Sequence, residues 1–216
     1  MKHQESSKTP SPRDEPLRWY QWPFAALGHL IGIWIVLILF EWLGGLWGNE
    51  VGTHAKTTLL LQLDALQADY PGILNRLLPW ISAIMLHFSE MLALNFRGTF
   101  AFVTPFWHGA VYVTLALMVR IALLVFAYPL FLMAMFLGAF DGLVARQRRI
   151  AFVARETETV HYYAHKSLPW VVLGCSYLWL FVPGIVAISP SLMLIPGIIA
   201  TGLLVQQSLA SYKKYL

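Results

Sequence analysis

Between Phe106 and Phe140 the sequence carries a single charged residue, Arg120. A continuous helix over this run would be about 50 Å long, which exceeds the ~30 Å hydrocarbon core of a bilayer. Residues 121–140 are long enough by themselves to cross the membrane, with a kink expected at Pro129. Arg120 then lies at the outer end of the span, where we expect its side chain to reach the lipid headgroups.

The composition of the whole chain agrees with an assignment to the membrane. Of its 216 residues 58% are hydrophobic and 12% are charged, whereas soluble domains average about 25% charged residues. A transmembrane helix needs about 20 mostly apolar residues. We therefore predict an all-α integral membrane protein with about four transmembrane helices and amphipathic interfacial helices. The predicted spans cover residues 23–43, 119–140, 170–188 and 192–210.

The segments outside the spans complete the predicted organisation. Residues 1–22 are polar and contain Pro and Ser, which is typical of a disordered cytoplasmic tail, and residues 23–216 form a single membrane domain. Residues 44–107 place Leu residues at helical spacing among charged ones, so we expect an outer amphipathic region. The alternative for residues 77–96 is an additional span, against which three residues count: Pro79, His87 and Glu90.

The basic residues are distributed unequally between the two sides of the membrane. With four spans, the N-terminal tail, segment 141–169 and the C-terminus share one side, which holds eleven of the fifteen Lys and Arg residues. The other side holds three, and Arg120 lies near the boundary. Because Lys and Arg are enriched in cytoplasmic loops, we predict that both termini and segment 141–169 are cytoplasmic.

The basic cytoplasmic loop or helix 141–169 contains the densest group of charges, RQRRIAFVARETETVHYYAHK at residues 146–166. On a helix, its apolar residues share one stripe, while Arg155, Tyr162 and Lys166 lie on another. Such a helix either lies on anionic lipid headgroups or binds a cytosolic protein, and both readings stay open. The candidate partner-binding residues are Arg146, Arg148, Arg149, Arg155, Glu156, Tyr162 and Lys166.

Two histidines of this segment raise the question of a metal site. His161 and His165 are four residues apart, and Glu158 precedes His161 by three, so a helix places all three on one face. The HExxH pattern requires Glu beside its first His, whereas Tyr162 follows His161, and a di-iron site needs a second Glu-x-x-His. We therefore expect two solvated histidines without metal or cofactor. A membrane metalloenzyme that uses Glu158, His161 and His165 is the alternative.

Catalysis and direct nucleic-acid binding are not expected from the remaining sequence. It contains no nucleophile paired with a base, no Gly-rich phosphate loop and no ATPase motif, so we predict that the protein is not an enzyme. Glu156 and Glu158 dilute the positive charge that phosphate contacts require. The membrane-embedded polar residues are His29 and Arg120, which are functional candidates by position alone.

The last two predicted spans each contain a Pro-Gly pair near the middle, Pro183-Gly184 and Pro196-Gly197. We expect these pairs to interrupt both helices and to form a tight C-terminal hairpin whose freed backbone groups need partners within the protein. Discontinuous helices are also typical of transporters, so a small transporter subunit is a further alternative.

The charged segment also carries a family resemblance. Residues 142–166, GLVARQRRIAFVARETETVHYYAHK, resemble the signature of the integrating conjugative element membrane protein family, a domain of unknown function found among type IV secretion and conjugation genes. The similar positions are Gly142, Leu143, Val144, Arg148, Arg155, Glu156, His161, Tyr162, Ala164 and Lys166. Thr157 stands where that family has Ser, and His165 separates Ala164 from Lys166. The order of spans and loops is similar as well.

The resemblance implies an accessory component of a conjugative DNA transfer system that works close to the coupling ATPase. No catalytic residues are implied by the resemblance. Together with the charge distribution, it predicts a multi-pass protein of the bacterial inner membrane that docks the type IV coupling ATPase or another secretion subunit. Assembly into a homo-oligomer stays open.

Overall fold

The computed structural model describes residues 21–44, 51–69, 71–152, 158–186 and 188–212, and every regular element in these ranges is a helix. The α-helices are α1 (Trp22–Gly44), α2 (Thr53–Asp69), α3 (Pro71–Leu92), α4 (Val103–Ala151), α5 (Glu158–Phe181) and α6 (Pro190–Ala210). Two short 3-10 turns cover Gly98–Phe100 and Val182–Gly184.

Four of these helices are long and apolar enough to cross a membrane, which confirms the predicted fold class. The candidate spans are Pro23–Gly44, Val103–Ala151, Thr159–Gly184 and Pro190–Ala210. The shorter apolar stretch Leu78–Leu92 of α3 is not one of the four. Residues 1–20 of the predicted tail lie outside the described residues.

The central element is α4, a helix of 49 residues that continues through Pro129. At 1.5 Å per residue it is about 73 Å long, more than twice the thickness of a bilayer core. We distinguish a first part, residues 103–123, from a second part, residues 124–151, because different helices cover most of each part.

The first part of α4 is covered by α1, α2 and α3. α1 runs antiparallel to it, since the indole N–H of Trp34 donates to the Thr114 hydroxyl at 2.9 Å and that of Trp42 donates to the Phe106 carbonyl at 3.1 Å. On the other side, α2 contributes Leu66 to a buried cluster around α4. The first part is therefore shielded by protein, as its position outside the predicted span requires.

The second part of α4 packs against α6 through glycines. A Cβ at Gly138 would collide with the carbonyl of Gly202, and one at Gly142 would lie 2.7 Å from the carbonyl of Gln206. These pairs advance in the same direction along both chains, so α4 and α6 are parallel. Small residues let the two backbones approach, which is how helices associate where lipid removes the hydrophobic driving force.

The Pro-Gly pairs act differently from what the sequence predicts. Pro183-Gly184 lies in a 3-10 turn that ends α5, because α5 stops at Phe181. α6 continues without a break through Pro196-Gly197. Gly197 instead provides close packing, since a Cβ there would collide with the sulfur of Cys175 on α5. The prediction that both helices are interrupted near the middle is therefore wrong.

Candidate functional site

The C-terminal ends of α4 and α6 and the N-terminal end of α5 meet at one end of the molecule. We call this region the basic end (residues 141–152, 158–167 and 206–212). Segment 146–166 is not one helix: α4 ends at Ala151, where the N–H of Phe152 donates to the carbonyl of Arg148 at 3.0 Å, and α5 begins at Glu158. The predicted partner-binding residues Arg155 and Glu156 lie outside the described residues.

Tyr212, just after α6, joins the three helix ends. The guanidinium of Arg149 donates to its backbone carbonyl, and the guanidinium carbon of Arg146 lies 5.5 Å from the centre of its ring. The imidazole of His161 meets the same ring edge to face, with 5.4 Å between the ring centres. Two of the predicted partner-binding arginines therefore hold the protein together at this point.

His161 and His165 are arranged as a stacked pair. Their rings are 6.1 Å apart between centres, with planes inclined by 11°. Nδ1 of His161 lies 2.8 Å from the carbonyl of Ser208; because a carbonyl only accepts, Nδ1 carries the hydrogen and donates it. Among the described residues, no three His, Cys, Asp or Glu side chains are grouped as metal ligands.

Other residues of the basic end are exposed. Arg148 is exposed on α4, and no side-chain hydrogen bond or ion pair joins it to another part of the chain that the structure describes. Tyr162 is 57% exposed on α5, where the Lys166 ammonium lies 3.3 Å from its hydroxyl and 5.4 Å from the centre of its ring. Tyr163 packs edge to face on Tyr162. Tyr162, Tyr163 and Lys166 therefore form an exposed group of two aromatic rings and a cation on α5, while Arg148 is exposed on α4.

The structure places Arg120 in the interior, so the prediction that it reaches the headgroups is wrong. The side chain is 2% exposed, and its guanidinium donates to the carbonyls of Leu180 at 3.2 Å and Pro183 at 2.9 Å. Carbonyls at the end of α5 have no further helical N–H to bind. Arg120 supplies donors to these groups, so the buried guanidinium and the carbonyls at the end of α5 satisfy each other's hydrogen bonding.

His29, the other predicted membrane-embedded polar residue, makes a simpler contact. Its ring meets the ring of Tyr177 on α5 edge to face, with 5.8 Å between centres. His29 therefore packs α1 on α5, and it does not approach the basic end.

Sequence reasoning missed several residues of the basic end. Tyr212 gave no signal beyond an aromatic residue beside two lysines after the last span. Asp141, at the start of the charged segment, accepts a hydrogen bond from the Gln206 side-chain amide. Gly142, together with Gly138 just before the basic end, could have been found, because their G-x-x-x-G spacing is a known helix-packing signal.

Comparison with known proteins identifies a protein family. The family model described as "IncC plasmid conjugative DNA transfer protein DtrJ-like" matches residues 79–213. This range covers more than half of the chain and includes α4, α5 and α6, and therefore the whole described basic end. No curated protein and no solved structure matches the chain. The resemblance to a conjugation-associated family is thereby confirmed.

Proposed function

The chain belongs to the DtrJ-like family of conjugative DNA transfer proteins, and from this premise we propose that it is a non-enzymatic docking factor. It lies in the bacterial inner membrane with both termini in the cytoplasm, where the excess of basic residues predicts them. Its basic end then faces the cytoplasm and binds the type IV coupling ATPase or another subunit of the secretion apparatus.

One observation carries the proposal, the separation of the basic end into an anchored set and an exposed set. Arg146, Arg149 and His161 hold the three helix ends around Tyr212. This fixes the backbone on which the exposed residues stand. A surface that is rigid before binding loses less conformational entropy when a partner arrives.

The exposed set has the chemistry of a protein-binding surface. Arg148 is exposed next to the anchored Arg149 in the sequence of α4. Tyr162 and Lys166 are exposed on α5, the helix that also carries the anchored His161. Tyr and Arg are the residue types that most often dominate binding energy at protein interfaces. Exposed cations also steer an acidic partner surface during association. Geometry and charge together support the proposal that docking uses these three residues.

The experiment reverses the exposed charges in the double variant Arg148→Glu/Lys166→Glu, and conjugative transfer frequency is measured in cells. We expect transfer to fall by at least ~10-fold, because loss of ~1.4 kcal/mol of binding free energy weakens a complex tenfold. Cross-linking from native membranes should recover less of the coupling ATPase with the variant.

The matched control is Arg97→Glu, which reverses an exposed arginine just before the start of α4, at the opposite end of that helix. It should leave transfer unchanged. Immunoblotting of membranes establishes that all variants are inserted in equal amounts. Normal transfer and normal cross-linking by the inserted double variant would overturn the docking proposal.

A further inference from the structure

A second group of polar residues is buried far from the basic end, where α1, α2 and α4 meet the 3-10 turn after α5. Glu41 of α1, Thr58 and Gln62 of α2 and Arg120 of α4 are all buried, with at most 8% of any of them exposed. Polar residues buried in a protein interior are costly unless they are hydrogen-bonded, so such a group marks a structural or functional site.

The carboxylate of Glu41 is held by the start of α2. One of its oxygens accepts the backbone N–H groups of Gly52 at 3.0 Å and Ala55 at 3.1 Å. The other lies 3.4 Å from Nδ1 of His54. A carboxylate at this position is favoured by the unpaired N–H groups and positive dipole end of a helix. Glu41 therefore links α1 to α2.

Arg120 is held from the opposite side. Two of its guanidinium nitrogens donate to carbonyls at the end of α5, while its backbone carbonyl accepts the indole N–H of Trp179 at 3.0 Å. Its remaining nitrogen, Nε, is buried and has no hydrogen-bond partner in the part of the chain that the structure describes. A buried donor without a partner costs about 1–3 kcal/mol.

Both charged residues line one small cavity. Glu41, Thr58, Ala116, Arg120 and Gly184 are among its lining residues, and about 10 Å³ of it is open to the centre of a water molecule. That is room for about one water, which needs two to four polar partners. Within the described ranges, no direct ion pair joins Glu41 to Arg120.

We propose that one buried water molecule occupies this cavity and bridges the Glu41 carboxylate and the Arg120 guanidinium. The water donates to the carboxylate and accepts from Nε, and thereby completes the hydrogen bonding of the two charged groups. This water-mediated ion pair connects α1 and α2 to α4 and to the end of α5. The proposal is independent of the docking function.

The first test is a double-mutant cycle on the full-length protein in lipid nanodiscs, with Glu41→Gln, Arg120→Gln and both together. Each single variant leaves one buried charge without its counter-charge, and the double variant leaves none. We expect the fall in Tm of the double variant to be smaller than the sum of the single falls by at least ~3 °C. Additive falls would overturn the proposed pair.

The second test asks whether water carries the coupling. Ala116→Val fills the cavity, and in this background the coupling between Glu41 and Arg120 should disappear. The matched control is Ala127→Val, which adds the same methyl groups on the same helix beside an apolar cavity of about 60 Å³ lined by Leu123 and Leu194. There the coupling should persist. Persistence in the Ala116→Val background would show that no water is needed.

A third measurement needs no variant and therefore does not depend on folding of a mutant. Radiolytic hydroxyl labelling of the unaltered protein should modify Leu37, which lines the cavity and is only 4% exposed, because hydroxyl radicals form on the bound water. Leu115 is equally buried at 5% exposure, does not line this cavity and should stay unmodified. Equal absence of label at both positions would overturn the proposal.

Discussion

The two parts of α4 are both rich in apolar residues, yet the protein uses them in opposite ways. In the first part α1, α2 and α3 cover the helix, and within residues 103–123 Met118 is the only large apolar residue left exposed. In the second part α6 covers one face, and the other faces present large apolar side chains to the lipid. These include Val125, Tyr128, Met133, Phe136 and Phe140.

The difference teaches that apolarity alone does not identify the core of a membrane protein. Lipid is as apolar as a protein interior, so an exposed Leu and a buried Leu give the same sequence signal. The polar residues are more informative. The first part contains Arg120, which is tolerated because α5 supplies carbonyls for its guanidinium. The second part has no charged residue before Asp141, because its lipid-facing side offers no such partners.

The largest loss of stability is expected when a buried residue in the first part of α4 is truncated. Leu115→Ala should lower the free energy of unfolding by ~2–5 kcal/mol, because it opens a cavity in the cluster that α2 and α4 share. Leu130→Ala removes the same atoms from a side chain that is 51% exposed and should cost ~0.5 kcal/mol or less. Thermal unfolding in nanodiscs measures both. If both variants lost the same free energy of unfolding, the first part of α4 would not be more deeply buried in protein than the second.

A smaller effect is expected at the glycine contact of the second part. Gly138→Ala places a methyl group against the Gly202 carbonyl and should destabilise the protein by ~1–3 kcal/mol, because α4 and α6 must separate. Gly174→Ala, on α5, meets nothing within 4 Å and serves as the control. Its stability should be unchanged or slightly higher, since alanine favours a helix by ~0.5–1 kcal/mol. A Gly138→Ala protein with an unchanged Tm would show that the close approach of α4 and α6 is dispensable.

The smallest effect is expected at the basic end, where the second part terminates. Arg149→Gln replaces the guanidinium that donates to the Tyr212 carbonyl by a shorter, uncharged amide and should cost ~0.5–1.5 kcal/mol in unfolding free energy. Arg148→Gln, one residue earlier and exposed, should change stability by less than ~0.5 kcal/mol while still reducing conjugative transfer. Tm and transfer frequency are measured on the same two variants. A reversed order of the two Tm values would contradict the anchoring role of Arg149.

The site was less accessible to sequence reasoning than the fold. The basic segment drew attention to Arg146, Arg148 and Arg149 equally, because neighbouring residues of one type are indistinguishable in a sequence. What distinguishes them is Tyr212, more than 60 positions away, because its ring contacts Arg146 and its carbonyl accepts a hydrogen bond from Arg149.

The helix boundaries also escaped prediction. α4 continues into the charged segment because a helix that leaves the lipid needs no apolar residues to remain helical.

The sequence by itself determined the class of this protein, the existence of its spans and the asymmetry of its charge. Those properties depend on local composition, because a chain in lipid must satisfy its backbone hydrogen bonds within each helix. Only the tertiary structure decided that Arg120 is buried rather than at a headgroup, that Glu41 binds the start of α2, and that the arginines of the basic end divide into anchored and exposed sets. Each of these depends on a carbonyl, an N–H group or a ring from another element of the structure, and that proximity arises only when the helices pack.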